Sequence, residues 1–177
     1  LRFAKGERRG FGAVAQGSPV FQSLRGKGIF LFERGLRLGQ GGLGDVNVHP
    51  NFTDNGVIYL SYVEAGSGDV RGAAVARAKL VYSSGSGTLT DLEVIWSQVP
   101  KVVGRGHFGH RMAFSPDGLL FISSGERQKF DPAQDMNQKL GKIIRLNDDG
   151  SVPSDKPLVD QGGVTAQIWS LGHRNPL

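Results

Sequence analysis

Two stretches of this chain carry the same phrase. Asp54 to Ser61 reads DNGVIYLS and Pro116 to Ser123 reads PDGLLFIS, each a polar residue and a glycine followed by an apolar run closed by serine. Asn-Gly and Asp-Gly provide the positive φ angles of tight turns, and the runs behind them are rich in β-branched and aromatic residues, which favour strands. The two phrases lie roughly 60 residues apart, somewhat more than one propeller blade of about 40–50 residues.

The rest of the body repeats this grammar. AAVARAKLVYS and LEVIWSQVP fill the interval between the phrases, and KLGKIIRLNDDGSV and TAQIWSLG supply two more short runs bounded by turn residues. No helical stripe is present beyond a single turn near PAQDMNQKLG. The chain is therefore read as all-β. A sandwich would show about seven evenly spaced strands without a repeated phrase. Four-stranded propeller blades fit better, with loops on one face carrying the chemistry.

Composition narrows the classes. With no cysteine among 177 residues, disulfides and thiolate metal sites are excluded. No apolar run approaches the roughly 20 residues of a transmembrane helix, so no membrane span is expected. The chain begins with Leu1 and carries no visible signal peptide, which reads as a removed leader or a fragment. The net charge of +5 is unevenly placed. Residues 1–37 hold eight Lys or Arg against two acidic residues, whereas residues 38–177 hold thirteen basic and fourteen acidic ones. A basic Gly/Arg-rich head of this kind could touch nucleic acid, but it reads more simply as a poorly ordered terminus. The body is not basic, and no nucleic-acid partner is expected.

Four segments place polar side chains among glycines: GQGGLGDV with Gln40, GHFGHR with His107 and Arg111, GER with Glu126, and GHRNP with Arg174 and Asn175. Glycine lets backbone approach a ligand closely. Imidazole is a base suited to neutral pH, a carboxylate orients it, and guanidinium offers forked donors to an anion. Each group also has a plainer reading. His107 could be a structural hydrogen-bond partner, and Glu126-Arg127 a solvated loop. Arg111 reads as a structural ion pair or hydrogen-bond donor beneath the site, and His49 as a turn residue bracing the next strand. His107 and His110 could chelate a metal, but residues three apart on a strand face opposite ways. NDDGSVPSD lacks the later glutamate of an EF-hand and reads as a hairpin turn.

Taken together, GQGGLGDVNVHPNFTDNGVIYLSY, GRGHFGHRMAFSPDGLLFISSGER, PAQDMNQKLGKIIRLNDDGSVPSDKPL and IWSLGHRNP resemble the soluble quinoprotein glucose/sorbosone dehydrogenase family, in particular its aldose sugar dehydrogenase branch. The resemblance implies a six-bladed β-propeller, of which this chain would supply about three blades from residue 38 onward. It implies pyrroloquinoline quinone and calcium as cofactors, an aldose sugar as substrate, an external electron acceptor, and a periplasmic or secreted location. By position, His107 would be the base that takes the anomeric hydroxyl proton, and Glu126 would stand where glucose-specific members orient that base with an aspartate. Gln40 would contact the sugar or steady the base, Arg174 would polarise the quinone oxygens, and Asn175 would hold the cofactor. These groups would lie on one face, at the mouths of successive blades.

The chain also departs from the family pattern. Gly44 interrupts the usual paired leucines, His110 replaces a small residue, and residues 1–37 match poorly. The loops expected to supply calcium ligands and further cationic contacts fall beyond residue 177, so the chain alone is expected to be inactive. A catalytically silent binding propeller and a metal-dependent lactone hydrolase are the competing readings. His107, Glu126 and Arg174 occurring together count against the first. The lack of a converging carboxylate and asparagine set counts against the second.

Overall fold

The structure is a computed structural model that describes residues 42–83 and 86–177. The described residues form two antiparallel sheets. In the first, β1 (Leu43–Val48), β2 (Val57–Ala65), β3 (Val70–Ser83) and β4 (Ser86–Ser97) neighbour one another in chain order, and the short β5 (Val102–Val103) also pairs with β3. The second sheet is β6 (Gly109–Phe114), β7 (Leu120–Ser124), β8 (Lys142–Leu146) and β9 (Ile168–Leu171), again in chain order. Meanders of four sequential strands are the blade-like units the repeated phrase predicts. The basic head falls outside the described residues.

Both copies of the phrase open the second strand of a sheet. Gly56, at φ 66°, follows the short helix α1 (Phe52–Asn55) and leads into β2; Gly118, at φ 85°, closes the turn into β7. Their wide spacing comes from the β3–β4 hairpin. Its strands run 14 and 12 residues and extend past the 9-residue β2.

Alternation along β2 and β3 decides which face each side chain meets. Ile58, Leu60, Tyr62, Ala74, Ala76 and Ala78 form one cluster with Leu89. Tyr59, Ala73 and Val75 point the other way, where Trp96 joins them against Met112, Leu120, Ile122, Ile144, Leu146 and Ile168 of the second sheet. Leu120, Ile144 and Leu146 are wholly buried there. Each such side chain contributes about 1.5–3 kcal/mol on burial, so this interface joins the two sheets into one unit.

Polar side chains register the joint. Asp45 Oδ2 accepts the Met112 amide at 3.1 Å, and Asn47 Nδ2 donates to the Met112 carbonyl at 3.0 Å, stitching β1 to β6. Gln98, fully buried, donates to Ser124 Oγ at 2.8 Å and the Gly125 carbonyl at 3.0 Å, while its own carbonyl accepts from Ala73. These bonds hold the end of β7 against the first sheet.

The plainer readings of the sequence mostly agree with the structure. Asp131–Gln134 makes a single 3-10 turn. NDDGS closes a tight turn in which the Asn147 amide donates to the Ser151 carbonyl at 2.9 Å, but the next strand is β9, so it is a turn and not the hairpin the sequence suggests. The His49 amide donates to the Val57 carbonyl at 3.0 Å, bracing the start of β2.

Two of the departures, Gly44 and His110, form one packing feature. A Cβ on Gly44 would lie 2.3 Å from both Cβ and Cγ of His110, so the larger residue at 110 occupies the space that glycine leaves at 44. Gly44→Ala is therefore expected to destabilise the fold by about 1–3 kcal/mol, the usual cost of overpacking. In a His110→Gly background most of that loss should disappear. Urea denaturation of the two single variants and the double variant reads the coupling, and additive effects would contradict this packing.

Candidate active site

Strand register brings three loops to one end of the second sheet. Gly109 pairs with Ser124, Ser124 with Lys142, and Lys142 with Leu171. The start of β6, the end of β7 and the end of β9 therefore meet, and the segments leaving them carry His107, Glu126, and Arg174 with Asn175. All four stand at the mouth of one sheet, not at the mouths of successive blades. Gln40 lies outside the described residues.

Glu126 is the buried centre of this group, at 2% exposure. Its Oε1 bonds His107 Nδ1, its Oε2 accepts the Phe130 amide at 2.7 Å, and its own amide donates to the Arg174 carbonyl at 2.8 Å. Burial pushes its pKa up, but the His107 bond and the amides of Phe130, Gln128 and Lys129 outweigh it and hold the carboxyl below its usual range. The carboxylate stays ionised and fixes one ring nitrogen of His107. The side chain of His107 retains 15% exposure. When Nδ1 carries the proton bonded to the carboxylate, Nε2 is the ring nitrogen that bears the lone pair.

The remaining members complete the end of the sheet. Asn175 Oδ1 accepts the Gly109 amide at 3.1 Å, tying the segment after β9 to the start of β6. Arg174 is exposed, and its guanidinium makes no bond to any described residue. Unusual backbone gathers here too. Among the described non-glycine residues with positive φ are His107, His110, Arg127, Gln128 and Phe130, all in or beside the two loops that present the His107–Glu126 pair. Strain of this kind persists only where surrounding contacts fix it.

One plainer expectation fails at this site and another is met only weakly. Glu126-Arg127 is no solvated loop, since both side chains are buried. Arg111 does pair with Asp45, but at 3.8 Å and with 59% of its side chain exposed, so it braces little. The guanidinium of Arg127, far from solvated, bonds backbone carbonyls of the His107 loop. The signal was there: a glycine-rich loop outside any ladder must find donors for its carbonyls, and arginine offers five.

His110 is buried, and neither ring nitrogen has a hydrogen-bond partner. Burial, then the charges of Arg127 and Arg111, lower its pKa from 6.5 to about 4. In the fold the ring is neutral, while the unfolded chain takes up a proton first. Stability is therefore complete above about pH 6.5 and falls as the pH drops toward 4, by up to about 3 kcal/mol. His110→Gly should flatten that acid slope in urea titrations at pH 7 and 4.5; an unchanged slope would contradict the assignment.

A cavity of ≈ 340 Å³ lined by Phe121, Arg145, Asp155 and Trp169 lies toward the other end of β7 and includes none of the site residues. Among the described residues no three His, Asp or Glu side chains converge on a point. No helix among them is long and apolar enough to cross a membrane.

Comparison with known proteins adds independent findings. The family model described as Glucose / Sorbosone dehydrogenase matches residues 26–177. Aldose sugar dehydrogenase YliI of Escherichia coli (strain K12) is 41% identical over 138 residues, covering 78% of this chain and 37% of that protein. The apo-form crystal structure of the soluble aldose sugar dehydrogenase from Escherichia coli aligns with a TM-score of 0.72 at 42% identity, covering 77% of this chain and 39% of that one. The PQQ-bound form of aldose sugar dehydrogenase from Streptomyces coelicolor aligns with a TM-score of 0.65 at 28% identity, over 77% of this chain and 38% of that one. The chain thus spans well under half the length of these relatives.

Proposed function

The chain belongs to the glucose/sorbosone dehydrogenase family, and from that premise we propose that it carries the base-bearing part of an active site that oxidises the anomeric hydroxyl of aldose sugars to lactones with pyrroloquinoline quinone. What supports this most is the His107–Glu126 pair, a buried ionised carboxylate fixing an imidazole at the end of a sheet, with Arg174 and Asn175 tied to the same two loops. Quinone-linked sugar oxidation needs a base on the hydroxyl and positive charge near the oxygens that gain electron density.

The residues suit the quinone in chemistry. The cofactor is a polyanion with carbonyl oxygens, and Arg174 offers it an exposed guanidinium that bonds none of the described residues. The oxygen of Asn175 is committed to Gly109, which turns its amide NH₂ into the group available to a cofactor oxygen. When bound, the quinone supplies a two-electron acceptor for the hydride leaving the sugar's C1. Calcium is different: among the described residues no three His, Asp or Glu side chains converge on a point that would hold it.

The chain's own part is then specific. Nε2 of His107 accepts the C1 hydroxyl proton. Glu126 holds Nδ1–H and stabilises the imidazolium that forms, its burial strengthening that attraction. Gln40, by family position, contacts the sugar or steadies the base. A periplasmic or secreted location and an external electron acceptor belong to the same reading.

The experiment is a quinone titration of the natural gene product. Arg174→Ala should weaken quinone binding about 10- to 100-fold, the loss expected for one charge-assisted hydrogen bond of about 1.5–3 kcal/mol. Unchanged affinity would remove Arg174 from the cofactor site.

A further inference from the structure

The segment that carries the histidine has a support of its own. Residues 104–108 lie outside any strand, so their carbonyls have no ladder partners. Arg127, with no exposed surface, reaches beneath them. Its Nε donates to the Gly106 carbonyl at 2.9 Å, Nη2 to that of Gly104 at 2.5 Å, and Nη1 to that of Arg71 on β3 at 2.5 Å. The guanidinium carbon sits 3.6 Å from the ring centre of the buried Phe108, and the Arg127 amide donates to the His107 carbonyl at 3.2 Å. One residue thus holds the loop before His107, at His107 and after it, and ties it to the neighbouring sheet.

The arrangement is costly enough to call for a reason. Burial, with Arg71 nearby, lowers the pKa of Arg127 to about 10, still far above neutrality, so a cation is kept inside the protein. The carboxylate whose charge acts on it, Glu126, has both oxygens engaged elsewhere, by His107 and by the Phe130 amide. The backbone at His107 is itself held at φ 52°, a conformation that relaxes without restraint.

We propose that Arg127 is the positioning residue of this site: by gripping the carbonyls of Gly104 and Gly106 it sets the His107 ring against Glu126. Its catalytic meaning rests on His107 acting as the base, but its geometric content does not. Lysine cannot replace it, because one ammonium on a flexible stem does not present a planar fork to three separated carbonyls.

The test is Arg127→Lys in the natural gene product, followed by NMR of the His107 Nδ1 proton. In the wild type this proton should give a downfield resonance that Glu126→Gln removes. Arg127→Lys should lose or broaden it, and kcat should fall about 10- to 100-fold with the sugar KM little changed, as expected for a group displaced by about an ångström. Arg111→Gln, at an exposed arginine of the same region, should alter neither. If Arg127→Lys does not fold, Arg127→Gly with added alkylguanidinium provides the second route: the guanidinium should restore the resonance and an alkylammonium should not. An intact His107 resonance and unchanged kcat in a folded Arg127→Lys protein would overturn the proposal, as would equal rescue by both additives. Were His107→Gln fully active while the resonance still depended on Arg127, the base assignment would fail and the positioning would stand.

Discussion

Replacing His107 with glutamine should lower aldose turnover of the natural gene product at least about 100-fold, the low end for losing a positioned base. Glutamine is close to histidine in reach and can still hydrogen bond the Glu126 carboxylate, but it accepts no proton near neutral pH. The loop should therefore keep its shape while the sugar hydroxyl loses its base. Quinone affinity should not change, since the groups proposed to hold the cofactor are Arg174 and Asn175. Steady-state dye reduction with glucose, alongside a quinone titration, separates the two quantities. Turnover close to wild type would make the histidine a structural partner of Glu126 and nothing more.

The second large effect concerns a residue with no side chain. A Cβ on Gly125 would lie 2.0 Å from the His107 carbonyl oxygen and 2.5 Å from its carbon. Both atoms are backbone, so no rotamer change relieves the overlap. Gly125→Ala must push the two loops apart, breaking the Gly125–Phe108 backbone bond of 3.0 Å and the Arg127–His107 bond of 3.2 Å. A loss of about 3 kcal/mol is expected, at the upper end for overpacking, and the displaced histidine should cost turnover in whatever protein still folds. Thermal denaturation with a matched assay tests this; an equally stable and active alanine variant would mean that the loops do not approach so closely.

How much of this was readable without coordinates depends on the kind of signal. The strands announced themselves, because alternation and turn chemistry are local: the Gly56 and Gly118 phrases open equivalent strands of two sheets. His107, Glu126, Arg174 and Asn175 could be singled out because glycines flank them, and the family resemblance ordered them. Their meeting at one end of a single sheet could not be read, since it follows from the register of β6 through β9. Gly44 and His110 stood out separately as departures, yet only packing across β1 and β6 joins them into one exchange of volume. Arg127 was misjudged for a related reason. A charge after a strand end is usually solvated, and what buries this one is the distant pairing of β3 with β5 and the fold of the glycine-rich loop above it. Gln40 and the basic head stand outside the described residues, so their roles rest on sequence alone.

His107, held by Glu126, is proposed to take the proton that lets C1 of an aldose give up its hydride. Stopped-flow spectroscopy of the quinone-reconstituted natural gene product, mixed with glucose or with glucose deuterated at C1, measures that step directly. The expected result is a sugar-dependent change in the bound quinone's absorbance that is slower with the deuterated sugar and nearly absent in His107→Gln. A change of equal rate in His107→Gln, or no sugar-dependent change in the wild type, would contradict it.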